Sequence, residues 1–310
     1  MKNKIVQPAK SRFNAKSRLT FIVVMLAIPV IHWFVFWLYV NIQSIFLAFQ
    51  DMRTGQLSFR NFSTVWSNIT NPYSHDLATA LKNTTKYFLN TVLIIMPMCL
   101  VVSYFIYKRI MGYKGFRIIF YLPAIISGVA YTTAFTEFVH PNGPLGAIIR
   151  MFGSEPNPIS PLSRRETATT AMLIYNILTG CTGNMLIFGG AMVRIPEEVL
   201  EAAKLDGCSP LRELISLIFP LIWPTFSTQL IFTLTGFFNQ TGPILLFTNG
   251  NYDTTTISFW IFKQVYGEGG LGGSGKYNVV SCAGLCFTVI WVPVVLMLRK
   301  LIDKVDTVEY

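Results

Sequence analysis

Six stretches of the chain run without Asp, Glu, Lys or Arg for long enough to cross a bilayer: residues 19–50, 87–107, 118–136, 167–193, 214–252 and 277–298. A hydrocarbon core of about 30 Å takes about 20 helical residues at about 1.5 Å each, so each stretch is read as one spanning helix. The fifth, at 39 residues, is too long for a single span. Pro220, Pro224, Asn239, Gln240, Gly242 and Pro243 divide it, and the pattern predicts a helix at about 219–240, with a surface segment before it and a loop after it. The first is predicted to be an uncleaved helix, because signal-sequence cores run only about 7–15 residues and end at a small-residue cleavage site. The fold class is therefore all-α and integral to the membrane, with six transmembrane helices at 19–301 between a basic tail, 1–18, and a short tail, 302–310.

Composition agrees: the chain is 52% hydrophobic and 13% charged, against roughly 25% charged for a soluble domain. Lys2, Lys4, Lys10, Arg12, Lys16 and Arg18 precede the first span without an acid among them. With that tail in the cytoplasm, Lys108, Arg109, Lys114, Arg117, Arg194, Lys204, Arg212, Arg299, Lys300 and Lys304 also fall inside. That places 16 of the 25 basic residues there. Both termini are then cytoplasmic, and the expected location is a bacterial cytoplasmic membrane. The net charge of +10 is accounted for by topology and anionic lipid rather than nucleic acid. The five cysteines lie mostly within spans and show no metal-finger spacing, although Cys282 and Cys286 are four residues apart. Neither a disulfide framework nor a metal site is implied.

The segment GGLGGSGKY, residues 269–277, has the glycine spacing and lysine of a phosphate-cradling loop. However, Tyr277 stands where the pattern needs a magnesium-binding hydroxyl. Such a loop works only between a strand and a helix N-terminus, and here it falls in the last outer loop. It is read as a flexible connection, so any ATP hydrolysis belongs to another polypeptide.

The inner loop at about 194–217 is more than a turn. Pro196 suits a first helical position, Glu197 and Glu198 place negative charge at the positive end of a helix dipole, and Val199, Leu200 and Ala203 make an apolar stripe. Gly207 closes this short helix by tolerating a left-handed conformation. Ser209 and Pro210 then start a second helix toward the membrane. Surface helices that rest on anionic lipid are rich in Lys and Arg, whereas this loop carries Glu197, Glu198, Glu201, Asp206 and Glu213. An acidic helix of this kind fits the cleft of a protein partner better.

EAAKLDG followed by LIFP resembles the signature of membrane subunits of binding-protein-dependent ABC importers: Glu-Ala-Ala, three residues, Gly, nine residues, Ile-x-Leu-Pro. Glu201, Ala202, Ala203, Gly207 and Pro220 match, and Leu217 and Phe219 are apolar departures. The similarity extends over most of the chain, from SIFLAFQDM and FRNFSTVW through ALKNTTKYFLNT, FRIIFYLPAIISG and GNMLIFGGAMVRIPEEVLEAAKLDG to LLFTN. That combination resembles the carbohydrate-uptake class, of maltose, multiple-sugar and glycerol-3-phosphate type.

The resemblance implies the permease fold of a type I importer with a cytoplasmic coupling helix. It also implies four kinds of partner: a second, different permease subunit, a cytoplasmic ABC ATPase dimer, an extracytoplasmic solute-binding protein and the lipid bilayer. It gives Glu197, Glu198, Glu201, Ala202, Ala203, Asp206 and Gly207 the ATPase-coupling role. This chain itself is expected to be no enzyme and to bind no cofactor, with ATP and Mg in the partner.

Polar groups inside spans usually face a bundle interior or cavity. Asn176, Thr179, Gly180, Gly183 and Asn184 in the fourth span, and Thr233, Asn239 and Gln240 in the fifth, are the candidate solute path; Thr182 lies among them. In maltose-type permeases a sugar site lies on the corresponding spans, where Asn176 and Gly180 match. Gly183 stands where the family has an aromatic contact and Phe237 where it has an Asn, which implies a cargo other than maltose.

The bland reading of each polar residue is a bond between neighbouring helices, and His32 is read that way. Glu137, His140 and Glu155 have no nucleophile beside them and are read as solvated charges at a mouth. An ATP-independent secondary carrier or channel is the alternative. Such carriers commonly show related halves and mid-membrane ionisable groups, and the sequence shows neither.

Overall fold

The structure is a computed structural model that describes residues 15–51, 54–71, 76–153, 158–267 and 276–305. The GGLGGSG segment and Glu155 lie outside the described residues. Among these residues no strand forms, and a single antiparallel bridge joins Gln50 to Leu57. The chain is a succession of helices: α1 Ser17–Phe49, α2 Arg60–Thr70, α3 Asp76–Tyr107, α4 Tyr113–Ile125, α5 Gly128–Phe138 and α6 Pro144–Met151. There follow α7 Ala168–Met192, α8 Glu197–Leu205, α9 Pro210–Thr235, α10 Ile244–Phe247, α11 Ile257–Tyr266 and α12 Tyr277–Ile302.

Five of these, α1, α3, α7, α9 and α12, are long and apolar enough to cross a membrane. The third predicted span is not a straight helix. Its two halves, α4 and α5, are bent by 110° and cross only if counted as one broken span. Pro123 interrupts the hydrogen-bond ladder near the end of α4, and Ile126 and Ser127 are extended before α5 begins at Gly128.

Two other predicted boundaries also move, for a common reason. A charge ends a charge-free window, but it ends a helix only if it must reach water from within lipid. α3 begins at Asp76 rather than near 87 because Lys82 and Lys86 project from one exposed face while Asn83, Thr84 and Tyr87 are buried on the other. α9 begins at Pro210 rather than near 219, passing straight through Glu213, which is buried against Lys108. It ends at Thr235, so Asn239 sits in a separate 3₁₀ turn and Gln240 follows it, both outside the span.

Wide π-turns at Thr91–Ile95 and Leu214–Ile218 sit just before Pro97 and Pro220. Each proline ring would otherwise press on the carbonyl four residues back, and the wider turn relieves that contact.

α3 packs along α7, α4 and α9 pack on α7, and α12 runs beside α2 and the later part of α1. Near mid-span, Ile95, Met96, Cys99, Cys181 and Phe188 form one buried cluster, in which the thiols of Cys99 and Cys181 meet at 2.9 Å between α3 and α7. The earlier part of α1 is different: no described residue before Ala48 is buried. His32 lies on that outward surface, stacks near Phe36 at 4.8 Å, and makes no interhelical bond among the described residues, contrary to the sequence reading.

At the end of the bundle remote from α8, Asn83 donates to the carbonyls of Asp253 and Thr255 at 2.6 and 3.0 Å. The amide of Ile257 donates to Thr84 at 3.0 Å. These bonds hold a turn in which Asn249, Gly250, Tyr252 and Asp253 all have positive φ.

The hydroxyl of Tyr87 is buried without a hydrogen-bond partner, and a Cβ on Gly242 would lie 2.8 Å from it. Gly242→Ala is therefore expected to lower the melting temperature of the detergent-solubilised protein. An unpartnered buried hydroxyl costs about 1–3 kcal/mol, so Tyr87→Phe alone is expected to keep or raise that temperature and, in the double variant, to recover part of the loss. A fall with Tyr87→Phe alone would contradict this account.

Candidate functional site

α8 is a nine-residue helix standing between α7 and α9. Pro196 is its N-cap, extended at ψ 137°, rather than the first helical residue the sequence suggested. Leu200 is its buried anchor and shares an apolar cluster with Tyr104 of α3, Met192 of α7, Ile195, and Leu214, Ile218, Leu221 and Ile222 of α9; Val199 packs on the edge. Everything else on the helix faces outward. Glu197, Glu198, Glu201, Ala202, Lys204 and Asp206 are exposed, Ala203 is half-buried, and Leu205 is 89% exposed. The result is an acidic surface with an apolar tip, held from beneath by one leucine.

The end of α8 is closed by both bonds of a Schellman motif. The amide of Gly207 donates to the carbonyl of Lys204 and that of Cys208 to the carbonyl of Ala203, each at 3.0 Å. Gly207 has φ +71°, and a Cβ there would meet nothing within 4 Å. Backbone conformation, not lack of room, therefore requires glycine at this position within the chain.

Beside α8 lies a cavity of about 910 Å³ between the adjoining ends of α3, α4 and α7. Arg109, Arg117 and Lys204 contribute positive charge to its wall and Glu197 and Glu201 negative, while Gly189 and Gly190 leave the α7 side open. Across the base of the bundle, Glu213 in the first turn of α9 is 4% exposed and forms an ion pair with Lys108, the residue that follows α3. Tyr104 approaches the same carboxylate at 3.5 Å. The sequence reading counted Glu213 and Lys108 as loop charges and missed the pair. A carboxylate on the apolar side of a helix, PLRELISL, was the available signal.

The polar residues of the spans divide into two groups. Thr182 donates to the carbonyl of Phe120 on α4 at 2.7 Å. Thr179 and Thr233 return their hydroxyls to Tyr175 and Gln229 in their own helices at 3.0 and 2.9 Å. Asn176 and Asn184 are half-buried and make no hydrogen bond among the described residues. Gly180 faces Ile95, whose Cδ1 would lie 3.0 Å from a Cβ there, whereas Gly183 opens on free space.

Asn176, Thr179, Gly180 and Gly183 follow the spacing of one helix face. Asn239 and Gln240 lie beyond the end of α9 and do not extend that face into the span. Phe237 is buried, stacked at 4.1 Å on Trp291. Gln229, half-buried in α9 with no side-chain hydrogen bond among the described residues, has the same character as Asn176. It escaped the sequence reading, although an amide in FSTQLIF was visible.

Comparison with known proteins places this geometry. No family model matches the chain. A probable ABC transporter permease protein of Mycoplasma genitalium is 27% identical over 262 residues, covering 81% of this chain and 74% of that protein. The arabinooligosaccharides transport system permease protein of Bacillus subtilis is 24% identical, covering 79% of each. The lactose transport system permease protein of Rhizobium radiobacter is 27% identical, covering 75% of this chain and 78% of that one.

Among solved structures, a chain of a bacterial ABC transporter involved in the import of the acidic polysaccharide alginate superposes with a TM-score of 0.77 at 21% identity. It covers 94% of this chain and 98% of that chain. A chain of a bacterial alginate ABC transporter in complex with alginate pentasaccharide-bound periplasmic protein gives 0.75 at 22% identity, covering 91% of this chain and 94% of that chain. The resemblance read from EAAKLDG holds: the chain has the all-α membrane fold of ABC importer permeases and is similar in sequence to sugar-transport permeases.

Because Gly207 is in the left-handed region, where other L-residues lose about 1–2 kcal/mol, Gly207→Ala is expected to raise amide exchange across residues 197–207 by about 5- to 30-fold. Exchange in α3 and α7 should stay unchanged. Equal protection in both proteins, read by mass spectrometry, would contradict the capping role.

Proposed function

We propose that this chain is a transmembrane permease subunit of an ATP-driven, binding-protein-dependent importer for a sugar or oligosaccharide. It forms half of the translocation path and is driven by a separate cytoplasmic ATPase dimer. The observation that carries this reading is α8 itself, a stiff, capped, acid-faced helix at the base of a membrane bundle, anchored by Leu200 and offering Leu205 and four carboxylates to a protein cleft. The names of the sequence relatives support the carbohydrate class.

In this reading α8 is the coupling helix. Glu197, Glu198, Glu201 and Asp206 meet basic groups of the ATPase, Ala202 and Ala203 permit close approach, and Gly207 fixes the helix end. ATP and Mg stay with the ATPase, and this chain performs no chemistry of its own. A short helix held at both ends passes ATPase closure to the spans by moving between two discrete positions. A second, different permease subunit completes the path, and a solute-binding protein delivers cargo on the opposite side. Both termini and α8 lie in the cytoplasm of a bacterium, an orientation supported by the distribution of basic residues.

Within the path, Asn176 and Asn184 carry amides with no hydrogen bond among the described residues, which makes them available to solute hydroxyls. Thr179, Gly180 and Gly183 shape the α7 wall, while Thr233, Asn239 and Gln240 stand at the end of α9 where the path opens.

Reconstitution with the partner subunits tests this reading. Uptake is expected only with ATP, and ATP-independent uptake would place the chain among secondary carriers. Proline cannot adopt φ +71°, and Glu201→Lys reverses a docking charge. Gly207→Pro and Glu201→Lys should therefore insert normally yet lose solute-stimulated hydrolysis; wild-type stimulation in both would remove the coupling role. Asn176→Leu should lower uptake about tenfold, the worth of one hydrogen bond, at unchanged abundance in the membrane. Unaltered transport kinetics would take Asn176 out of the path.

A further inference from the structure

The docking helix explains how force enters α7 and α9 but not how it reaches α3. α8 follows α7 and precedes α9 in the chain, so both move with it through the backbone. α3 does not, yet α3 is the span that packs along α7. The ion pair between Lys108 and Glu213 joins α3 to α9 across their bases. Glu213 is 4% exposed, the Lys108 side chain is 20% exposed, and Tyr104 closes the site from α3 with its hydroxyl 3.5 Å from the carboxylate.

Membrane insertion does not call for such a pair. Topology is set as well by a solvated lysine, whereas Glu213 is taken out of water at a cost that only a well-placed partner such as Lys108 offsets. Apolar helix surfaces can slide past each other by small increments. A buried ion pair cannot, because separation strands an uncompensated charge in the interior. The same loop is held to α3 at a second point, where Leu200 and Tyr104 share one apolar cluster.

We propose that Lys108, Glu213 and Tyr104 form a positioning brace that makes the inner end of α3 move as one body with the first turn of α9. Displacement of α8, which reaches α7 and α9 through the backbone, then carries α3 with them. The proposal rests on the permease reading above. Lys108 and Glu213 touch neither solute nor nucleotide in it; they act through the helices they join.

Spin labels at Arg109→Cys and Arg212→Cys, both at exposed positions next to the pair, are introduced with the native cysteines replaced, and the whole complex is reconstituted. The 109–212 distance is expected to be the same with and without ATP and Mg. A second label pair, Arg194→Cys and Tyr252→Cys, both exposed and outside the docking surface, is expected to report movement. A 109–212 distance that changes on ATP binding overturns the brace.

A functional arm uses Lys108→Met with Glu213→Gln, which removes both charges without stranding either. This variant is expected to assemble at wild-type abundance and thermal stability while solute transported per ATP falls about tenfold, within the usual range of coupling between sites. The reversed pair, Lys108→Glu with Glu213→Lys, is expected to regain coupling. A purely structural pair would leave transport per ATP unchanged in any variant that assembles, and that result overturns the proposal. If the neutral pair does not assemble, the distance measurement decides. Uptake by the wild-type complex without ATP would sink the permease reading instead, a result distinct from failure of the brace.

Discussion

Every polar group that enters the apolar part of this bundle must find its partner inside the protein, because lipid supplies none. Serine and threonine hydroxyls of the spans meet that condition locally, while the buried hydroxyl of Tyr87 is the exception noted above. Thr84, Ser103, Thr132, Thr179, Thr233 and Thr288 each donate to the carbonyl four residues back in their own helix. Charges meet it by standing at the helix ends or, in the case of Glu213, by pairing with Lys108. Against that background the half-buried amides of Asn176, Asn184 and Gln229, without hydrogen bonds among the described residues, stand out as groups kept for something other than packing.

The same constraint explains why the base of the bundle is built as it is. A short helix outside the membrane must expose its backbone ends to water and still hold a fixed orientation. α8 does so with one buried leucine, a dipole-matched pair of glutamates at its start and a two-bond cap at Gly207. Its acidic face stays exposed because the leucine and the cap lie elsewhere on the helix, and the dipole interaction leaves Glu197 and Glu198 at the surface. Rigidity and an exposed acidic surface are what the lever proposed above requires, whereas a flexible acidic loop would absorb the movement it received.

The pattern of charge-free windows found the helices because spanning a bilayer is a matter of length and composition. It misjudged the places where charge and helix coexist. Lys82 and Lys86 lie on one exposed face of α3, beyond the apolar segment, so the helix continues under them. Glu213 lies inside α9 because a residue 105 positions earlier in the chain neutralises it. The broken span α4 and α5 was partly legible in Pro123 and in the Ser-Gly step at 127–128. The 110° angle depends on how each half packs, α4 on α7 and α5 against α10 and Tyr175. The α8 helix was the most legible part of all, since acidic first turn, apolar stripe, acidic face and glycine stop are local features decided within a dozen residues.

By itself the sequence determined that this is a helical membrane protein, where most of its helices run, and that a short acid-faced helix closed by Gly207 stands between two of them, because hydrophobic length, dipole charge and left-handed glycine act over one or two turns. The tertiary structure alone decided which polar side chains are spent and which are free, that Asn239 and Gln240 fall beyond α9, that Phe237 belongs to an aromatic stack, and that Lys108 and Glu213 are one interaction. Those outcomes depend on which helices become neighbours, and hydrogen bonds and ion pairs between distant segments leave no periodic mark in the chain that forms them.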